Sequence, residues 1–254
     1  MFIVPFSELW ASTAWHPANE QLRLLGREPD DPEHYLVREL IRNVLHAAGA
    51  VEYTVGKLEA ALDADEAWIS EFAPEERFER RHPVGIVGPN RDAALYEYGN
   101  LLLWLKALQE RIRRKIPPYN EERHWGLLPA LAPGQFWTVR IGDAYSALCA
   151  ETLGDRSLAN FVTHSGAVPP AYGSSELVDG RLVLPIPDTP RRHVHLSDEL
   201  TYELNRDARA LGRTALKAVE AFVESMISAL EDANREILER RAASQSEVLA
   251  DQPI

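Results

Sequence analysis

The sequence predicts an all-α fold: an elongated antiparallel bundle of four to five long helices, with one β-hairpin inserted before the last helix. Two observations carry this prediction. Apolar residues recur at spacings of three and four along most of the 254-residue chain. Segments rich in glycine and proline separate the stretches that follow this period. Because a helix rises ~1.5 Å per residue, helices of this length make a bundle longer than it is wide.

Three helices are predicted in the first half of the chain. The first spans residues 32–62, where leucine, isoleucine, valine and alanine follow the helical period. A shorter helix is predicted over residues 67–80. The third begins at a cap formed by Asn90 or Asp92 and runs to about Ile116, with a basic last turn that suits the negative end of the helix dipole.

The second half is predicted to hold two long helices and the hairpin. One helix spans about 135–163, and the last runs from a cap at Ser197 to about Arg240. Between them, an Asp-Gly dipeptide at 179–180 separates two short apolar runs. This dipeptide is favoured in tight hairpin turns, so the sequence predicts a hairpin insertion within residues 171–196.

One helical domain is predicted, spanning residues 1–241. Residues 1–31 are apolar and aromatic and are expected to pack onto the core, whereas the polar residues 242–254 are expected to form a flexible tail. No internal repeat or low-complexity linker divides the helical part. Long helical bundles often bury one face against a second copy, and we therefore expect a homodimer.

Charge and cysteine content narrow the function classes. The formal net charge of −12 argues against a broad basic surface for nucleic acid or an anionic membrane, although it allows a local basic cleft. Cys149 is the only cysteine, which excludes disulfides within the chain and thiolate zinc sites. The apolar N-terminal stretch is too short to span a bilayer. We predict a cytoplasmic protein with no membrane partner and no cofactor, since no phosphate-binding loop or metalloprotease motif occurs.

A cluster of polar residues lies near the end of the predicted helix 135–163. Arg156, Asn160 and His164 recur at every fourth position and therefore share one side of that helix. A histidine can take a proton from a ribose hydroxyl, an arginine can hold a phosphate, and an asparagine can orient either group. These are the groups that a metal-independent ribonuclease needs. The alternative interpretation is structural, with Asn160 and His164 bonding free carbonyls at the helix C-terminus.

The stretch "LANFVTHSGAVPP", near the end of the penultimate long helix, resembles the HEPN superfamily. The motif of that superfamily is an arginine, a polar residue, a few further residues and a histidine. Asn160 matches the polar residue and His164 the histidine, while Ala159 stands at the arginine position. The resemblance implies a helical protein that acts on RNA or a nucleotide, as a metal-independent ribonuclease or a degenerate relative in a toxin or defence system. It assigns His164 as the base, and Arg156 or Arg42 would then hold the phosphate.

A second cluster lies in the first predicted helix. The stretch "IRNVLHAAGA" places Arg42, Asn43 and His46 in the order of the motif, with one residue too few between them. Arg42 and His46 are one helical turn apart on one face. One interpretation is that Arg42 meets His164 across a cleft between helices. The other is a solvated cluster on the polar face of an amphipathic helix.

Two further groups of residues allow more than one role. His193 and His195 alternate as metal ligands can in an extended segment, but no third ligand is near in sequence, and a polar edge of the hairpin insertion is the preferred interpretation. Four aromatic residues could stack on bases, although their spacing favours core packing. These are Tyr98, Trp104, Trp125 and Trp137.

Two functions are therefore consistent with the sequence. The first is an HEPN-like protein that binds RNA or a nucleotide at a local cleft. The second is a non-catalytic, dimeric helical protein that binds a protein partner or serves as a scaffold, with Asn160 and His164 as structural caps.

Overall fold

Three long helices contain most of the residues that the structure, a computed structural model, describes. They are α1 (Pro32–Ser70), α2 (Arg91–Arg113) and α3 (Ala208–Ala250). The described residues are 16–17, 19–20, 23–24, 32–72, 81–82, 85–86, 88–113, 144–149, 177–178, 181–186 and 206–250. The predicted mostly helical class is confirmed for this part of the chain. Residues 144–149 are helical, and the rest of the helix predicted over 135–163 lies outside the described residues.

Six two-residue strands form three antiparallel pairs in the described ranges. They are β1 (Arg81–His82), β2 (Gly85–Ile86), β3 (Leu177–Val178), β4 (Arg181–Leu182), β5 (Pro185–Ile186) and β6 (Arg206–Asp207). In the β3–β4 pair Val178 lies opposite Arg181, so the predicted hairpin around 179–180 is confirmed. The pairs β1–β2 and β5–β6 add to the single hairpin that the sequence predicted. Strands of this length are too short to show the alternation that marks a strand in a sequence.

Helix α1 runs unbroken to Ser70, so the separate second helix predicted to start at residue 67 is wrong. The sequence between Leu62 and Ala67 contains no glycine or proline, and buried Asp65 and Ile69 continue the inward-facing stripe. The helix ends in tight backbone bonds, from the amide of Glu71 to the carbonyl of Trp68 and from the amide of Phe72 to that of Ile69.

Helix α3 begins at Ala208 and not after the cap predicted at Ser197. Residues 206–207 pair with β5, and Asp207 is the residue that caps the helix. Its Oδ2 accepts a hydrogen bond from the amide of Ala210 at 3.0 Å, and its Oδ1 accepts one from the amide of Leu184 at 3.0 Å. One carboxylate therefore fixes both the start of α3 and the adjoining β5 segment.

The C-terminal end of α3 also differs from the prediction. The helix continues past Arg240 to Ala250, so that residues 242–250 of the predicted flexible tail are helical. Between Arg213 and Gln252 the sequence has no glycine or proline and is rich in alanine, glutamate and leucine, which favour the helix.

The chain divides into two compact units. Unit 1 comprises Met1–His46, Leu108–Ala147 and Glu220–Ile254, and unit 2 comprises Ala47–Ala107 and Leu148–Val219. The single domain of residues 1–241 stays a prediction.

The core of unit 2 is built from one stripe of each long helix and from the hairpin segment. Its buried apolar residues include Val51, Val55, Leu58 and Leu62 of α1, Tyr98, Leu101, Leu102 and Leu105 of α2, Ala215 and Val219 of α3, and Leu182, Leu184 and Ile186. Gly212 of α3 lies next to both other helices in this unit: a Cβ there would be 3.4 Å from Cγ2 of Val55 and 3.7 Å from Cδ2 of Leu101. Burial of each leucine or isoleucine contributes roughly 1.5–3 kcal/mol.

Unit 1 has its own apolar stripes. Its buried residues include Ile41, Val44 and Leu45 of α1, Leu108 and Ile112 of α2, and Phe222, Met226, Leu230 and Ile237 of α3. Part of the N-terminal segment joins them. Leu24 is buried, the side-chain amide of Asn234 donates to the carbonyl of Pro17 at 2.7 Å, and Arg241 donates to the carbonyl of Leu24. None of the described helices combines the length and the hydropathy needed to cross a membrane.

Candidate functional site

The residues predicted to form a ribonuclease-like site are described only in part. Arg42 lies on α1, whereas Arg156, Asn160 and His164 lie outside the described residues, as do His193 and His195. The proposed meeting of Arg42 with His164 therefore stays a prediction.

Arg42 and His46 share the solvent-facing side of α1 in unit 1. Both are exposed, while Ile41, Val44 and Leu45 between and beside them are buried. The helical period places the two exposed side chains one turn apart on the same face. An anion in solvent can reach both groups.

The backbone beside this pair is held by a second helix of the same unit. Nη1 of Arg111 donates a hydrogen bond to the carbonyl of Asn43 at 3.2 Å. Arg111 belongs to the basic run at the end of α2, and this bond shows that one member of the run has a structural contact.

The aromatic residues proposed as base-stacking groups have different positions. Tyr98 is buried at 1% exposure and belongs to the core of unit 2, as its spacing predicted. Trp104 is half-buried, and Trp125 and Trp137 lie outside the described residues.

In unit 2 the guanidinium of Arg209, in the first turn of α3, joins two carboxylates of α1. Its side chain is 9% exposed and donates through Nη1 to Oδ1 of Asp63 and through Nη2 to Oε1 of Glu66, both at 2.6 Å. The same Oε1 accepts a hydrogen bond from the backbone amide of Leu182 in β4 at 2.8 Å. One oxygen of Glu66 therefore joins α1 both to α3 and to the hairpin.

Burial makes the two carboxylates of this network unequal. The Glu66 side chain is 18% exposed and that of Asp63 is 61% exposed. Solvent screens the Asp63 pair, so the interaction with Glu66 contributes more to stability. Among the described residues none bonds Nε of Arg209, which adds a desolvation cost to this otherwise paired group.

A third ion pair extends the network along the same two helices. Nε of Arg213, one turn beyond Arg209, donates to Oε1 of Glu59 at 2.5 Å. This hydrogen bond raises the pKa of the Arg213 guanidinium above its ordinary value, and the attraction of the Glu59 charge adds to the effect. The Arg213 side chain is 51% exposed, so the pair is mostly screened.

Asp65 points to a different part of unit 2. It is 1% exposed, and its Oδ1 accepts hydrogen bonds from the backbone amide of Asn90 at 2.8 Å and from Nδ2 of Asn90 at 3.0 Å. Asn90 immediately precedes α2, as the sequence predicted for a cap, but its side-chain amide is directed to Asp65. The carboxylate therefore fixes the turn at 88–90 from which α2 begins.

The backbone of Gly88 lies directly against the carboxyl group of Asp65. A Cβ at this position would overlap with that group, so the turn requires glycine for steric reasons. No described residue bonds Oδ2 of Asp65. The site combines a tight backbone approach with a buried carboxylate, one oxygen of which has no partner among the described residues.

These carboxylates are arranged to hold the fold together. Within the described ranges, no group of three or more His, Cys, Asp or Glu side chains has a geometry suited to a metal ion. Sequence reasoning missed the network of Arg209, although its acidic residues recur at spacings of four and three on α1 and its arginines at four on α3. That pattern indicates helix faces of opposite charge, but it does not say which faces meet.

Comparison with known proteins adds no relative. The chain matches no protein-family model, no curated protein and no solved structure.

The first prediction concerns the two ion pairs of α3. Arg209→Met leaves Glu66 without its charge partner, and we expect the free energy of unfolding to fall by about 3–5 kcal/mol. Arg213→Met is the matched control, removing a solvent-screened pair, with an expected loss below ~1 kcal/mol. Urea denaturation followed by circular dichroism measures both. Equal losses would contradict the central position of Arg209.

The second prediction compares two glycines of unit 2. Gly88→Ala forces the 88–90 turn away from Asp65, and we expect it to destabilise the protein by about 1–3 kcal/mol. Gly56→Ala is the control, because nothing lies within 4 Å of the added methyl group on the exposed face of α1. It should stabilise the protein by about 0.4–1 kcal/mol. Thermal melting measures both variants. A Gly88→Ala protein that melts at the wild-type temperature would refute this account.

Proposed function

We propose that the protein is an HEPN-like protein that acts on RNA or a nucleotide, as a metal-independent ribonuclease or a degenerate relative of one. The motif residues Asn160 and His164 suggested this function in the sequence. Within the described residues, the supporting observation is the exposed Arg42–His46 pair on one face of α1. An arginine and a histidine that solvent can reach are the groups that phosphate binding and proton transfer require.

The proposed reaction is transfer within the RNA strand. His164 takes the proton of a ribose 2′-hydroxyl as the oxygen bonds to the adjacent phosphorus, and the bond from phosphorus to the 5′ oxygen breaks. The departing oxygen takes up a proton from a protonated group or from water. Arg156 or Arg42 holds the phosphate oxygens, and Asn160 orients the phosphate or the ribose. The resemblance extends this proposal to a role in a toxin or defence system, and the predicted helical bundle is the basis for expecting a homodimer.

The third prediction tests this function directly. Purified protein should cleave labelled single-stranded or structured RNA in the presence of EDTA, since no metal is required. His164→Ala should lower the rate by about 10²–10⁴-fold, the usual contribution of a general base. His16→Ala is the control, because His16 is an exposed histidine outside the motif.

Two arginine variants identify the group that holds the phosphate. Loss of activity in Arg42→Gln or in Arg156→Gln assigns the role to the affected residue, because glutamine removes the charge and the paired donors. A folded wild-type sample that cleaves none of the RNAs, or a His164→Ala variant as active as the wild type, would contradict the catalytic form of the proposal.

A second candidate function is a non-catalytic, dimeric helical protein that binds a partner. An exposed face of α2 in unit 2 favours it: Tyr96 is 71% exposed and Leu103 is 44% exposed. They lie seven residues apart with exposed Asn100 between them, a spacing at which helices pair. Both functions predict a dimer, so RNA cleavage separates them, and sedimentation of the same sample tests the dimer. A dimer that does not cleave RNA supports the binding role. A monomer that does not cleave RNA contradicts the dimer expected for both functions.

A further inference from the structure

Helix α3 carries an open groove near its C-terminal end, in unit 1. Arg240, Arg241, Ser244 and Gln245 line this groove, which we call the α3 groove. Their spacing of one and four residues places them on one face of the helix. The groove has a volume of about 470 Å³, within the range of roughly 300–1,000 Å³ that small-molecule sites occupy.

The described lining of the α3 groove consists of side chains that can donate hydrogen bonds. The hydrogen bond of Arg241 goes to the carbonyl of Leu24, a neutral acceptor, and this contact leaves the positive charge of the guanidinium in place. It also holds the side chain in position, which lowers the entropy lost when an anion binds.

Arg240 supplies a second positive charge. Its side chain is 62% exposed, and Nη2 lies 3.6 Å from Oε2 of Glu236. Solvent screens an exposed contact of that length, so it contributes little. The hydroxyl of Ser244 donates to the carbonyl of Arg240 at 3.0 Å and can rotate toward a ligand.

The charge of the groove contrasts with that of the chain. The protein carries a net charge of −12, which repels anions in general. The described lining of the groove has two arginines and no carboxylate. Guanidinium groups bind phosphate through paired, charge-assisted hydrogen bonds, and serine and glutamine are common additional phosphate contacts.

We propose that the α3 groove binds the phosphate group of a ligand of nucleotide size. The proposal does not rest on Arg42 or His164. The phosphate can belong to a free nucleotide or to the backbone of RNA, and both sources offer the same chemistry to the arginines.

The fourth prediction is a calorimetric titration at low salt with adenosine 5′-monophosphate, adenosine and inorganic phosphate. The monophosphate should bind the wild-type protein and adenosine should not. Arg241→Gln should weaken binding by about tenfold or more, the effect of losing a charge-assisted hydrogen bond. Arg235→Gln is the matched control: Arg235 is an exposed arginine of α3 that pairs with Asp232 outside the groove lining.

Further titrations distinguish a free nucleotide from the RNA backbone as the source of phosphate, and loss of binding from loss of folding. A short oligoribonucleotide is titrated in the same way. If it binds and its binding depends on Arg241, while the monophosphate does not bind, the site recognises the RNA backbone. Arg240→Gln leaves the Arg241–Leu24 contact intact, so its loss of binding is independent of unfolding. His164→Ala should keep phosphate binding, which distinguishes failure of the catalytic proposal from failure of this one.

The proposal is overturned if none of the phosphate-bearing probes binds. It is also overturned if Arg240→Gln and Arg241→Gln both bind like the wild type, or if Arg235→Gln loses as much affinity as they do.

Discussion

The Arg209–Glu66 ion pair is the interaction on which unit 2 depends. Its guanidinium is almost completely buried, and the carboxylate oxygen that receives it also accepts the amide of Leu182. A buried ion pair is not itself a large source of stability, because two charges must leave water. Breaking it is costly, because the remaining charge stays buried. The pair therefore fixes which surfaces of α1, α3 and the hairpin meet, and the apolar stripes supply most of the favourable free energy.

The same reasoning separates structural from functional charges. In unit 2 the carboxylates of Asp63, Asp65 and Glu66 have partners that explain why they are there. In unit 1 the exposed Arg42–His46 pair and the two arginines of the α3 groove face solvent on an acidic protein. Exposed arginines on an acidic protein create a local positive potential that attracts a phosphate-bearing ligand. This contrast makes Arg42 and the α3 groove the candidate phosphate contacts of unit 1.

Local patterns predicted much of the helical fold. The spacing of apolar residues indicated α1 and α2, and the Asp-Gly dipeptide indicated the β3–β4 hairpin, because each signal lies within a few consecutive residues. The start of α3 could not be predicted in this way. Ser197 has the chemistry of a cap, but Asp207 caps the helix because residues 206–207 pair with β5, a contact between distant parts of the chain. The partners of Arg209 and Asp65 depend on the same kind of distant contact. For the candidate site, the sequence predicted that Arg42 and His46 share a face of α1. It did not predict the α3 groove, because Ser244 and Gln245 lie beyond the predicted end of the last helix.

A double-mutant cycle on Arg209 and Glu66 tests the central claim most directly. Unfolding in urea would be measured for the wild type, Arg209→Met, Glu66→Gln and the double variant. If the buried pair holds unit 2 together, each single change is costly and the double change costs less than their sum, with a coupling energy of about 1–3 kcal/mol. Additive losses within ~0.3 kcal/mol would show that the two side chains act independently and would contradict the account.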